Sequence, residues 1–313
     1  MKGQIIKRAA KQLIPAGLWK AQRKASILKQ HRKVADFWNP VIEAYYNGAI
    51  ERKYVLKPEK ELGTRKVIWQ YWGQGVDSGD LPEIIKICFD SVDKHKGDYQ
   101  VIRLTDATLS EYIVFPDFVR RKLENAQFSR TFFSDLLRVA LLSVYGGVWL
   151  DATILLTGRL PQKYEEPGFF MFQRSDDEKN RNYWENAFAY YFGWEPGFKV
   201  RVLSSIIFAR KDNGIISALS DLLLHFWETQ ESLLDYFLFQ LLFNELITKY
   251  RPDENCPIVN DCIPHIIQTK MNGSYDDVSF EEALKLSSIH KMTYFDDTAI
   301  ARLKLILRLP QSI

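Results

Sequence analysis

Short apolar segments alternate with longer amphipathic segments over most of the chain. Runs rich in β-branched and aromatic residues, bounded by glycine or polar residues, predict strands over 67–72, 99–104, 148–156, 169–173 and 204–209. Apolar residues spaced by three and four predict helices from Pro82 onwards and over 130–144, 213–229 and 233–249. The alternation predicts an α/β fold with a mostly parallel sheet, in which ligands bind at the carboxyl ends of the strands.

The helix predicted over 130–144 is apolar on nearly all sides, which indicates that it is buried. Asp135 and Arg138 lie three positions apart on this helix and therefore share a face. Buried charges are costly unless they are paired or belong to a site. An ion pair that holds the helix against the sheet is one interpretation. A ligand site is the other, because the helix leads directly into a Gly-Gly pair and the segment that contains Asp151.

The stretch YGGVWLDATILL, residues 145–156, places Asp151 inside an otherwise apolar segment. A strand covered on both faces offers no favourable position to an unpaired carboxylate. We therefore expect Asp151 to reach a ligand site or a cation, the alternative being that it caps a nearby turn or helix. A divalent metal that bridges phosphates needs only one or two protein carboxylates. A single aspartate at the end of a strand thus fits a nucleotide-diphosphate site.

Composition limits the classes of function. The chain is 46% hydrophobic and 14% aromatic, which is typical of a globular protein and excludes a disordered one. Its three cysteines lack paired spacing, so neither a disulfide framework nor a zinc site is indicated, and a reducing cytoplasm fits best. The densest apolar segment, 233–243, is too short to span a bilayer, so we expect a soluble or peripherally bound protein.

Basic residues are concentrated near the two ends of the chain. Residues 1–34 contain ten lysines and arginines and no acidic residue, and 302–309 combine basic with apolar residues. Such segments favour contact with an anionic membrane surface. A solvated terminus and a contact with a partner protein are the alternatives. Nucleic-acid binding is not indicated, because no recognised binding module accompanies the basic residues.

The same distribution suggests a domain organisation. We expect Pro15 and Gly17 to limit any long helix near the N-terminus. The predicted units are a basic, partly helical appendage over 1–60, a catalytic domain over 61–295 and a basic, apolar tail over 296–313. The basic ends would hold the protein on the cytoplasmic, inner face of the cell membrane.

The segment FSDLLRVALLSVYGGVWLDATILL, residues 133–156, resembles the central signature of the capsular polysaccharide synthesis glycosyltransferases, relatives of glycosyltransferase family 32. Four further segments match in order: VIWQYWGQG, SSIIFARKDNGIISALSDLLLHFW, LLDYFLFQLLF and IHKMTY. Together they cover residues 67–294. The resemblance implies a GT-A (Rossmann-like) fold with a mostly parallel central sheet and added helices, and a D-x-D-type donor site.

The resemblance also implies roles for individual residues. Asp151 matches the first acid of the D-x-D motif, whereas Thr153 stands where the second acid is expected, so two motif acids are not available to a metal. A bound Mn²⁺ or Mg²⁺ would be ligated by Asp151 and His290. The alternative is that His290 is an ordinary surface histidine without a metal. The Lys291 ammonium would neutralise the diphosphate, the alternative being a solvated lysine, and Trp69 would contact the nucleotide base. The full set of implied donor-binding residues is Trp69, Gln70, Tyr71, Asp135, Arg138, Asp151, Thr153 and Lys291.

Catalytic roles are implied for Asp151, Arg138 and Asp235. Cleavage of a sugar–phosphate bond requires stabilisation of an oxocarbenium-like centre and of the departing diphosphate, which these charges would supply. Asp235 would orient the acceptor, or would be a helix N-terminal charge that the helix dipole favours. Relatives retain anomeric configuration. Retention by front-face attack needs no covalent protein nucleophile, so none is assigned.

The implied activity is a retaining α-glycosyltransferase that uses a UDP-hexose, galactose or glucose. The implied acceptor is a polyprenyl-diphosphate-linked saccharide in bacterial capsular polysaccharide biosynthesis. Transfer to lipooligosaccharide or to protein is an alternative. A non-catalytic GT-A scaffold or sugar-binding subunit is another, which the missing second acid permits.

Overall fold

A five-stranded sheet forms the centre of the protein. The computed structural model describes residues 16–50, 54–75 and 81–307. The strands are β1 (Val67–Tyr71), β2 (Gln100–Leu104), β3 (Gly147–Leu150), β4 (Ile154–Leu156), β5 (Phe169–Gln173), β6 (Val202–Ala209) and β7 (Ile289–Lys291). The large sheet has the order β2-β1-β3-β6-β5, and β4 pairs with β7 in a second sheet. Only β6 runs against the other four strands, which confirms the predicted α/β fold with a mostly parallel sheet.

Helices cover the sheet and extend from it. They are α1 (Ala16–Tyr46), α2 (Glu83–His95), α3 (Asp117–Glu124), α4 (Arg130–Tyr145), α5 (Arg181–Ala187), α6 (Gly214–Thr229), α7 (Leu238–Glu245), α8 (Ile266–Met271), α9 (Phe280–Leu286) and α10 (Asp297–Ile306). A π-helical turn, Leu246–Tyr250, continues α7. Short 3₁₀ turns lie at Leu109–Glu111, Gln162–Tyr164, Pro252–Glu254 and Ile263–His265. The helices predicted from Pro82 and over 130–144 and 213–229 are confirmed, whereas the one predicted from residue 233 begins five residues later.

The helix α4 begins and ends for local reasons. The Ser129 hydroxyl accepts a hydrogen bond from the Phe132 N–H and caps its first turn. At its other end, Gly146 and Gly147 have φ of 72° and 106°, values that favour glycine. A Cβ atom on Gly147 would lie 2.5 Å from the Val67 carbonyl oxygen. The glycine pair therefore lets α4 stop abruptly and lets β3 start directly beside β1.

The segment after β3 differs from the prediction of one strand over 148–156. The strand β3 ends at Leu150, where the chain leaves the large sheet. A tight turn follows, in which the Ile154 N–H donates to the Asp151 carbonyl oxygen at 2.9 Å. The chain then forms β4, in which Leu155 is paired with His290 of β7. Asp151 thus lies in a turn between two sheets, and not in the middle of one strand.

The two ends of the described chain belong to the folded body. The helix α1 extends from Ala16 to Tyr46 in the described chain, so Gly17 does not prevent a long helix near the N-terminus. Its residues Val34, Trp38 and Ile42 are fully buried in the core around the large sheet. We therefore place α1, and α10 with its buried Leu303, in the same folded unit as the sheet. The expected terminal segments 1–15 and 308–313 lie outside the described residues.

Two hydrophobic clusters meet next to Asp151. The larger surrounds the five-stranded sheet and contains Leu150. The smaller packs between α2, β4 and the C-terminal helices and contains Ala152. Among the residues that the structure describes, no helix combines the length and apolarity needed to cross a bilayer.

Candidate functional site

The candidate site is centred on the carboxylate of Asp151. Its Oδ1 accepts a hydrogen bond from the Trp149 indole at 2.7 Å. A guanidinium nitrogen of Arg138 lies 3.5 Å from Oδ1, and the Lys291 ammonium lies 3.4 Å from Oδ2. The Asp151 side chain is 23% exposed. A carboxylate held by two cations thus remains accessible to a ligand at the carboxyl end of β3.

Arg138 is a fixed bridge between two carboxylates. Its Nη2 lies 3.1 Å from the carboxylate of Asp135 on the same helix and 3.5 Å from that of Asp151. Its remaining hydrogen bonds go to the Ser204 carbonyl oxygen at 2.7 Å and to the carbonyl and hydroxyl oxygens of Ser134 at 2.9 and 2.7 Å. These partners hold the guanidinium in one orientation. The predicted convergence of Asp135, Arg138 and Asp151 is therefore present.

The two carboxylates have very different pKa values. Burial alone would raise the pKa of Asp151, but the charges of Arg138 and Lys291 and the Trp149 hydrogen bond lower it to about 2. Burial raises the pKa of Asp135 to about 6, against the opposing effect of Arg138. Neighbouring carboxylates whose environments separate their pKa values are typical of sites that use one ionised and one titratable acid.

Lys291 reaches the same motif from β7. Its ammonium donates a hydrogen bond to the Thr153 hydroxyl at 2.5 Å, in addition to its contact with Asp151. The lysine therefore spans the two positions at which a D-x-D motif carries its acids. The Lys291 side chain is 22% exposed, so its ammonium is still open to a bound anion.

His290 does not take part in this arrangement. Successive residues of a strand point to opposite faces, so the imidazole lies on the face of β7 away from Lys291. It is fully buried, its Nε2 lies 3.1 Å from the Thr157 hydroxyl, and burial lowers its pKa to about 4. The structure therefore does not bring His290 to Asp151, and their metal pair stays a prediction that this arrangement does not favour.

The first predicted donor segment is only partly at the site. Trp69 is fully buried and its indole donates to the Gly146 carbonyl oxygen at 2.9 Å, so its contact with a nucleotide base stays a prediction that this arrangement does not favour. Gln70 is also fully buried and accepts from Arg103 at 3.0 Å, which excludes a direct donor contact in this conformation. Tyr71 ends β1 and its hydroxyl donates to Asp106.

Asp106 and Arg130 are site candidates that the sequence did not indicate. Arg130 contacts the Asp106 carboxylate at 2.7 Å, and both side chains are substantially exposed. With Tyr71 they lie where β1 and β2 end, on the same edge of the sheet as Asp151, because β1, β2 and β3 are parallel. Their signal in the sequence was weak, since each is a charged residue in a polar loop.

Asp235 and Tyr236 precede α7. The Asp235 carboxylate accepts the Phe237 N–H at 2.7 Å just before α7, a position that fits the helix N-terminal charge considered as the alternative. Tyr236 is 69% exposed. Partial burial and the charges of Asp135 and Asp151 raise the pKa of its phenol, so the hydroxyl lies within electrostatic range of both carboxylates. The sequence did not indicate Tyr236 as a site residue, because an aromatic residue in an apolar helical pattern predicts a core position.

The residues around Asp151 do not fit a divalent metal well. Such ions can be held by one or two protein carboxylates when phosphate oxygens and water complete the shell, but neighbouring positive charges oppose their binding. Here one carboxylate is flanked by Arg138 and Lys291, and a hydroxyl that binds Lys291 replaces the second acid. Within 16–50, 54–75 and 81–307, no group of three or more histidine, cysteine or acidic residues could hold a metal.

The comparisons with known proteins agree with the resemblance seen in the sequence. The model of a family described as capsular polysaccharide synthesis protein matches residues 19–307. The chain belongs to this family. In this capsular polysaccharide synthesis protein the match includes every strand of both sheets. No curated protein matches the chain. A similar solved structure is "PaToxG Glycosyltransferase", with 14% identity and a TM-score of 0.37, covering 73% of this chain and 80% of that chain.

Proposed function

We propose that this capsular polysaccharide synthesis protein is a GT-A glycosyltransferase that transfers a hexose from a UDP-sugar to a saccharide acceptor. The observation that carries the proposal is the ionised Asp151 between Arg138 and Lys291, at the carboxyl edge of three parallel strands. Family membership supports it, because a capsule is assembled by forming glycosidic bonds. Glucose and galactose are the donor sugars that we propose.

The charges suit cleavage of a sugar–phosphate bond. As the bond from the anomeric carbon breaks, the electron pair passes to the terminal phosphate of the donor, where negative charge develops. The Lys291 ammonium is open to that charge and would stabilise it. Asp151, held ionised by its cationic neighbours, would stabilise the positive charge on the sugar ring. Attack by the acceptor on the same face would retain the anomeric configuration without a covalent protein intermediate.

A groove beside Tyr236 is our candidate for the acceptor site. It has a volume of about 810 Å³ and lies between α1 and the turn that contains Asp235. Tyr190 and Tyr236 line it with exposed rings, and aromatic rings bury the apolar faces of sugars. Lys29 and Lys33 of α1 also line it and would favour an acceptor with a diphosphate group, such as a lipid-linked saccharide.

Release of UDP tests the proposed function. The full chain is incubated with UDP-glucose and UDP-galactose, with and without Mn²⁺, and free UDP is measured. We expect turnover with at least one donor and a fall of about 100-fold or more in kcat for Asp151→Asn, because a charge that acts in the transition state is removed.

Asp117→Asn is the matched control, since this aspartate is exposed on α3. It should leave the rate unchanged. Absence of UDP release with either donor under any condition, or an unchanged rate in Asp151→Asn, contradicts the proposal and favours a scaffold or sugar-binding role.

A further inference from the structure

We infer that Lys291 takes the place of a divalent metal, so that the enzyme binds and cleaves its donor without one. This inference rests on the proposed function, because it concerns how the same site holds the donor diphosphate. It starts from the Lys291 ammonium, which contacts Thr153 at 2.5 Å and Asp151 at 3.4 Å. A positive charge of the protein thus already lies where the two acids of a D-x-D motif would place a metal.

The backbone fixes this lysine opposite the motif. In the antiparallel β4–β7 pair, Lys291 is in register with Ile154, the residue directly after the motif. The Met292 N–H donates to the Thr153 carbonyl oxygen at 2.9 Å and closes the pair on the motif side. Main-chain hydrogen bonds therefore fix the backbone of Lys291 opposite the motif, and contacts with Thr153 and Asp151 hold its ammonium.

The charge of the site is also already balanced. Asp135 and Asp151 are opposed by Arg138 and Lys291, each within 3.5 Å of a carboxylate. A divalent cation at Asp151 would lie close to two positive groups and would have one protein carboxylate as a ligand. Thr153 supplies no charge to offset that repulsion, because its hydroxyl already accepts from Lys291. Electrostatics therefore favour a bound diphosphate over a bound metal at Lys291.

The transfer step balances with Lys291 as the cation. The bond between the anomeric carbon and the diphosphate oxygen breaks, and the electron pair goes to that oxygen. The acceptor hydroxyl forms the new bond and gives its proton to the departing phosphate. Lys291 donates a hydrogen bond to the departing group throughout and loses no proton itself.

Binding of UDP by the full chain tests the inference directly. Isothermal titration is carried out with UDP in EDTA and again in excess Mn²⁺, and UDP release from UDP-glucose and UDP-galactose is measured under both conditions. We expect the Kd and the rate to agree within about twofold, because the ammonium is part of the chain. Binding or turnover that requires Mn²⁺ overturns the inference and leaves the proposed function standing. Failure to bind UDP under either condition overturns both.

Substitution of the lysine separates its role from a structural one. In Lys291→Met we expect UDP affinity to fall at least tenfold while UMP affinity changes little, because UMP lacks the terminal phosphate. Lys291→Arg should keep most of the UDP preference. Lys285→Met, an exposed lysine paired with Glu281 on α9, is the control and should change neither affinity. An unchanged ratio of UDP to UMP affinity in Lys291→Met overturns the inference.

Discussion

At the scale of single residues, the site depends on two carboxylates that lose their protons in different ranges of pH. Asp151 keeps its charge, because Arg138 and Lys291 lower its pKa to about 2. Asp135 resists ionisation, because burial raises its pKa to about 6. A buried carboxylate with a raised pKa favours the folded state when protonated, so its contribution to stability is lost as pH rises from about 4 through 6.

Replacing Asp135 with asparagine tests this difference. Asparagine cannot ionise, so the Asp135→Asn variant should gain stability relative to the wild type as pH rises from 4.5 to 7.5. Thermal unfolding at both pH values measures the effect as a change in the Tm difference. The exposed Asp117→Asn serves as the control. A Tm difference between Asp135→Asn and wild type that stays constant with pH would contradict the raised pKa.

The sequence predicted that Asp135 and Arg138 would lie together near Asp151 because helical spacing is rigid. The two residues had to share a face, and the glycines after α4 brought that face close to Asp151. The buried positions of Trp69 and His290 could not be predicted in the same way. Each lies on a strand, where a shift by one residue reverses the direction of the side chain, and register depends on partners far away in sequence.

At the scale of elements, a buried ion pair joins β5 to the segment before α8. Arg174 follows β5 and contacts both carboxylate oxygens of Asp261, at 2.8 and 2.9 Å, and neither side chain is exposed. The guanidinium also donates to the carbonyl oxygens of Tyr191 and Gly193. One side chain therefore connects three parts of the chain.

Breaking this pair should destabilise the fold strongly. Asp261→Ala leaves the Arg174 charge buried without its counterion, and we expect a loss of about 3–5 kcal/mol in the free energy of unfolding. Denaturation in urea measures it. In comparison, Glu124→Ala removes an exposed pair with Arg120 and should cost less than about 1 kcal/mol. Similar losses of unfolding free energy in the two variants would show that the buried pair stabilises the fold no more than the exposed pair does.

Element boundaries were harder to predict than element types. The apolar run over 148–156 has the length and composition of one strand, and composition does not reveal that it leaves the large sheet at Asp151. The partner that draws it away, β7, lies 138 residues later in the chain, counted from Thr153 to Lys291. The helix α1 was underestimated because Gly17 was interpreted as an interruption, although one glycine only weakens a helix that also packs against the core.

At the scale of the whole molecule, the distribution of basic residues predicts a membrane contact. Residues 1–34 carry ten basic residues and no acid, and Lys29, Arg32 and Lys33 are exposed on α1. We expect the full chain to sediment with vesicles of phosphatidylglycerol at low salt and to be released at high salt, because the attraction is electrostatic.

Neutral phosphatidylcholine vesicles provide the control for that experiment. Substitution of Lys29, Arg32 and Lys33 by glutamine should weaken sedimentation with the anionic vesicles. Equal binding to both vesicle types, or none at low salt, would contradict a peripheral membrane contact and would favour a solvated terminus.

The pairing of β4 with β7 also has a consequence for the order of folding. Contacts between residues far apart in sequence form late, since a long loop must close before they are gained. Asp135, Arg138 and Asp151 lie within one short stretch, whereas Lys291 joins them only after the chain has been synthesised past residue 291. We therefore expect a nascent or refolding chain to acquire its affinity for a nucleoside diphosphate with the docking of its last strand, later than the local α4–β3 half of the site is formed.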